Sequence, residues 1–89
     1  MPIIQPPDVL KLLAHDIRWS LIQSLNMSDY RVHELVEILD APMNLISYHL
    51  KLLRESGLVA MHQSEADRRD IYYSLEYEVL QQQFQAAEQ

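Results

Sequence analysis

Four residues at helical spacing, Asn44, Ser47, Tyr48 and Lys51, could do recognition chemistry together. They recur at i, i+3, i+4 and i+7, which places them on one face of a helix. An amide there can pair bidentately with adenine, a hydroxyl can donate or accept, and a lysine can reach guanine or phosphate. The neighbouring spacing Ile46, His49, Leu50, Leu53 makes the opposite face apolar. From Met43 to Arg54 the chain carries two cations, Lys51 and Arg54, and no acid. The plain alternative is a solvated face on an ordinary helical hairpin.

A second cationic feature is the pair Arg68 and Arg69. Arginines on a hairpin tip can reach phosphates or a minor groove. Glu65, Asp67 and Asp70 stand beside them, so a soluble tip is the alternative reading. Catalytic chemistry has no footing: there is no Gly-rich phosphate loop, no cysteine, and Ser47 and His49 fall on different faces of one helix. The chain reads as a non-enzyme with no cofactor. His15, His33, His49 and His62 contain no i, i+4 pair on one helix, so no metal site is expected.

These residues need elements to position them. Val32, Leu35, Val36 and Leu39 form an apolar stripe that ends at Asp40 and Ala41. Pro42 then suits the first turn of a new helix, where its missing N–H is unpaired anyway. That second helix stops at Gly57, the only glycine, in the position of a left-handed C-cap. Two helices joined this tightly match a helix-turn-helix.

Upstream, residues 1–7 hold three of the four prolines and read as a flexible lead-in, with Asp8 as a helix cap. Val9, Leu10, Leu12 and Leu13 make an apolar first helix. A second spans about Asp16 to Leu25, with Ile17, Leu21, Ile22 and Leu25 inward and Arg18 and Trp19 at its edge. Downstream, the period changes from 3.6 to 2. Leu58 to Gln63 and Asp70 to Leu75 read as strands of a hairpin, the second with Ile71, Tyr73 and Leu75 on one face. Such a hairpin must lean on the helices to be stable.

Glu76 to Gln89 returns to helical period through Tyr77, Leu80, Phe84 and Ala87, with no obvious partner in so small a core. The fold class is mainly α with a two-stranded β-hairpin, in the order α-α-α-α-β-β-α, and residues 8–89 form one domain. The first and last helices, through Val9, Leu10, Leu13, Tyr77, Leu80 and Phe84, are the expected homodimer interface. A final helix folding back on its own domain is the alternative.

Bulk properties bound the reading. The 89 residues carry a net charge of −6 and 48% hydrophobic residues. A chain this short buries only about 60–65% of its unfolded surface, so association is a common remedy. The negative sum opposes uniform nucleic-acid binding, so any cationic face must be local. Absence of cysteine fits a reducing cytoplasm. The opening MPIIQPPD lacks the basic and apolar segments of a signal peptide, and no stretch approaches a membrane span.

Three segments resemble the ArsR/SmtB family of small bacterial winged helix-turn-helix regulators. SYHLKLLRESGLV, residues 47–59, resembles the family's S-x-H-L-x-x-L-x-x-x-G-L-V run. LLAHDIRWSLIQSL resembles its L-A-D-P-x-R-x-x-I-L opening, and DRRDIYYSL its wing. The resemblance implies a dimeric repressor on double-stranded DNA with an imperfect palindromic target. Asn44, Ser47, Tyr48 and Lys51 would lie in the major groove, with the wing and its Arg68 and Arg69 on flanking backbone; Met43 and Arg54 are further expected DNA-binding residues. There are departures. The place of a common C-x-C sensing pair reads Arg31-Val32-His33, and the last helix has no histidine for a zinc site. The residues therefore name no effector. Leu45 stands where a small hydroxyl residue is common, and no proline follows Asp16. The second function class is a winged helix used for protein contact, as the N-terminal part of a longer chain.

Overall fold

The computed structural model describes residues 8–87. The lead-in expected over residues 1–7 lies outside the described residues. Among those described, the order is α1 (Asp8–Leu13), α2 (Asp16–Met27), α3 (Val32–Leu39), α4 (Met43–Glu55), β1 (Val59–Gln63), β2 (Ile71–Leu75) and α5 (Tyr77–Ala87). This is the expected arrangement of five helices and one antiparallel hairpin, with Val59 opposite Leu75 and Gln63 opposite Ile71.

The core sits between α2, α3, α4 and the start of β1. Leu21, Leu35, Ile46, Leu50, Leu53 and Leu58 have no exposed surface. Each such side chain contributes roughly 1.5–3 kcal/mol of burial, so the apolar stripe of α4 anchors its whole length. Val9 and Leu13 of α1 complete the core at one end, and Tyr73 and Leu75 pack on it from β2.

Local chemistry sets the boundaries. Asp8 is the first residue of α1. His15 caps α2, its Nδ1 accepting the Ile17 N–H at 3.2 Å. With no glycine or proline to stop it, α2 runs two residues past the expected Leu25. Arg31 precedes α3, and the Glu34 carboxylate accepts the Arg31 backbone N–H at 2.9 Å. Asp40 ends α3 in the left-handed region at φ 51°. Pro42 stands one residue earlier than expected, as the N-cap of α4, with extended backbone.

Gly57, at φ 85°, closes α4. Its N–H bonds to Arg54 O at 3.0 Å and the Leu58 N–H to Leu53 O at 3.1 Å, the paired bonds of a Schellman motif. Leu58 is thus occupied by the helix cap, and β1 begins at Val59 rather than Leu58. Likewise the Asp70 N–H closes a turn onto Asp67 O at 3.0 Å, which delays β2 to Ile71.

Three further expectations are corrected. Arg18 does not sit loosely at the edge of α2. It is half-buried, because its Nε donates to Leu12 O at the end of α1 and its Nη1 to His49 Nδ1 at 3.3 Å. The faces of β2 do not alternate cleanly: all five residues are half-buried, because Arg31 and His62 cover Tyr72 on the outer face. Finally, α5 does find partners within the domain. Val79, Leu80 and Phe84 pack against the core, and Gln83 Nε2 donates to Ser56 O at 3.4 Å.

Candidate nucleic-acid interface

The outward face of α4 is presented by burial of its other side. Ile46, His49, Leu50 and Leu53 point inward, while Asn44, Ser47, Tyr48 and Lys51 are exposed. Met43 and Leu45 are exposed as well, so the first turns of α4 offer both apolar and polar groups. No acid lies in the first turn. The positive end of the helix dipole is therefore uncompensated, an arrangement that favours a nearby anion.

The cations differ in freedom. Lys51 Nζ lies 3.9 Å from Glu55 Oε1 with both side chains mostly exposed, a contact worth little against a phosphate. Arg54 extends from the last turn of α4 to Met61 Sδ on β1. At the wing tip Arg69 is engaged by Asp67, with Nε–Oδ1 3.3 Å and Nη2–Oδ2 3.2 Å. Those bonds hold the Asp67 carboxyl below the usual range. Arg68 is exposed and has no ion-pair partner among the described residues. The wing thus offers one free guanidinium and one half-neutralised.

Under α4, His49 is buried at 4% exposure. Burial first, then the nearby His15 and Arg18, lower its pKa below that of an ordinary imidazole. Arg18 has only donors, so His49 Nδ1 must act as the acceptor. This ties the C-terminal end of α1, the N-terminal end of α2 and the underside of α4 into one cluster.

A second cluster holds the wing, and its residues carried no signal strong enough to single them out in the sequence. Arg31 Nη1 lies 3.5 Å from Asp70 Oδ2 and its guanidinium 5.5 Å over the Tyr72 ring. Its Nε also donates to Glu34 Oε1 at 3.0 Å. The Glu34 carboxyl is held low, first by the Arg31 backbone N–H and then by its side chain. His62 Nε2 meets Asp29 Oδ2 at 3.1 Å. The Arg31–Glu34 spacing was the single legible hint, because a Glu three residues after a helix cap commonly turns back on it.

Of the six residues assigned to an interface between subunits, Val9 and Leu13 lie inside the chain's own core at 5% exposure. Leu80 and Phe84 are half-buried against it. Leu10 and Tyr77 are the exposed members, at 43% and 61%. Among the described residues no group of three or more His, Cys, Asp or Glu is placed to hold a metal ion. No helix there is long and apolar enough to cross a membrane.

Comparison with known proteins is consistent with this geometry. The chain is 37% identical over 68 residues to the HTH-type transcriptional repressor SmtB of Mycobacterium tuberculosis, an alignment covering 76% of this chain. The chain spans about half the length of that relative, 48%. A solved structure described as a possible transcriptional regulator for arsenical resistance superposes with a TM-score of 0.75 at 33% identity, covering 89% of this chain and 78% of that one. The transcriptional repressor BigR from Xylella fastidiosa superposes with a TM-score of 0.74 at 30% identity, covering 85% and 73%. The family described as "Bacterial regulatory protein, arsR family" matches residues 15–60, just over half of the chain and including all of α2, α3 and α4. With that match, and with five helices and a hairpin in the same winged helix-turn-helix arrangement, this chain belongs to the arsR family of bacterial regulatory proteins.

Proposed function

We propose that this chain is a homodimeric, sequence-specific DNA-binding repressor of transcription, working in the cytoplasm, without a metal cofactor and without enzymatic activity. The carrying observation is α4: one face locked into the core, the other exposing Asn44, Ser47, Tyr48 and Lys51 with no acid in its first turn. Two copies of α4 related by a two-fold axis would meet successive major grooves about 34 Å apart, so the target is an imperfect palindrome. Met43 and Arg54 flank the contact face, and Arg68 and Arg69 supply backbone contacts from the wing. Leu10 and Tyr77, exposed on α1 and α5, are the side chains best placed to join the subunits. Two solved or curated relatives are described as transcriptional repressors, which supports the direction of control.

The absence of cysteine removes the thiolate chemistry by which a C-x-C pair would sense metal. Fluorescence anisotropy on duplex DNA from upstream of its own gene, with a salt titration, tests the proposal. Saturable binding that weakens as salt rises is expected. No binding at about 50 mM salt, where electrostatic attraction is strongest, would overturn it and favour the protein-contact reading that the net charge of −6 supports.

A further inference from the structure

The three residues before α3 each grip the wing by a different bond. Asp29 meets His62 on β1 at 3.1 Å. Tyr30 pairs backbone to backbone with Tyr73 on β2, its N–H to Tyr73 O at 3.1 Å and the Tyr73 N–H to Tyr30 O at 2.8 Å. Arg31 reaches Asp70 at 3.5 Å and covers Tyr72. The two side-chain arms are joined on the wing itself, because the His62 and Tyr72 rings stack across the strand pair at 5.9 Å and 19°. Asp29, His62, Tyr72 and Arg31 thus form a closed circuit around the Tyr30 bridge.

This circuit lies where the wing has little else to hold it. Val59, Tyr73 and Leu75 attach the base of the hairpin to the core, but from Met61 to Asp70 no side chain is buried. A two-stranded ribbon without such support is marginal. The ion pairs are one-third to one-half exposed, so each is weak alone. Ties of that strength add little to global stability, yet they suffice to choose one pose of a hairpin.

We propose that Asp29 and Arg31 are positioning residues for DNA binding: with Tyr30 they staple the wing in the pose that brings Arg68 to the DNA backbone. This rests on the reading of the wing as a DNA contact. Releasing the staple would leave the wing to be ordered on binding, at a loss of roughly tenfold in affinity for even one hinge residue that must be fixed.

Two measurements on the full chain separate the staple from that reading. Hydrogen exchange of the native chain and of Arg31→Met, or of Asp29→Asn should Arg31→Met fail to fold, examines the wing without DNA. Faster exchange over residues 63–70, with α4 unchanged, is expected; unchanged wing exchange overturns the staple. Anisotropy then compares Arg31→Met, Arg68→Ala and the double variant on the same duplex. The staple predicts that Arg31→Met weakens binding in the native background and adds nothing once Arg68 is gone. Additive losses overturn the positioning role alone. No effect of Arg68→Ala overturns the wing as a DNA contact, and the positioning role with it.

Discussion

The imidazole rings of His15 and His49 lie with centroids 4.3 Å apart and planes tilted by 38°, one capping α2 and the other buried beneath α4. Each accepts a hydrogen bond on Nδ1, His15 from the Ile17 N–H and His49 from Arg18. The bond from Arg18 does not survive protonation of His49 Nδ1, and an imidazolium there would repel the neighbouring guanidinium. The contact face of α4 therefore rests on a neutral His49.

Buried His49 predicts acid sensitivity with a definite sign. The His49 pKa is lowered in the folded state, so the unfolded chain takes up the proton first, and stability rises with pH where the two states differ. The thermal midpoint should be level above the ordinary imidazole value of about 6.5 and fall as pH drops below it. Melts followed by circular dichroism from about pH 8 to pH 5 check this. Glu34 and Asp67, whose pKa values are also lowered, act in a separate window. Their stabilisation is present above the ordinary carboxylate value of about 4 and is lost only below it.

The wing arginines should not be equivalent. Arg68→Ala is expected to lower affinity for any duplex and to reduce the salt slope by about 1. Arg69→Ala should do less, because Asp67 already holds that guanidinium at 3.2 Å. By the same logic Asp67→Ala should tighten binding and steepen the salt dependence. Anisotropy at three or more salt concentrations orders the three variants. Equal slopes for Arg68→Ala and Arg69→Ala would contradict the assignment.

Base readout is assigned to the exposed hydroxyls of α4. Replacing Ser47 and Tyr48 together by Ala removes both and leaves Ile46, Leu50 and Leu53 buried, at the loss of the edge-on contact between the Tyr48 and His49 rings at 5.1 Å. Affinity for the specific duplex should drop, by about 1–3 kcal/mol for each base edge no longer read, while binding to unrelated DNA stays close to native. An equal drop on both duplexes would mean that this face reads backbone rather than sequence.

Gly57→Ala tests the helix stop. At φ 85° an L side chain is strained, whereas among the described residues the added Cβ would meet only Val79 Cγ1, at an ordinary 3.7 Å. The cost is therefore conformational, about 1–2 kcal/mol, and urea unfolding should show a lower midpoint with an unchanged slope. A destabilisation well above that would mean that packing against α5, rather than backbone conformation, dominates at this position.

How much is legible in the sequence follows from how far apart in the chain each interaction reaches. The inward stripe of Ile46, His49, Leu50 and Leu53, the exposed set opposite it, the stop at Gly57 and the hairpin all follow from periods of 3.6 and 2 and from one residue's tolerance of positive φ. Those are short-range properties, and reading along the chain suffices for them. The bond from Arg18 to His49 spans 31 residues and that from Asp29 to His62 spans 33. No periodicity encodes such pairs, because they form only when packing of the apolar faces brings separate helices and strands side by side. Tertiary structure alone likewise decided that Val9 and Leu13 belong to the core, that Asp67 restrains Arg69, and that the loop before α3 clasps the wing. Apolar patterning selects which face is buried; which polar side chains then meet depends on the angles and offsets of the packed elements.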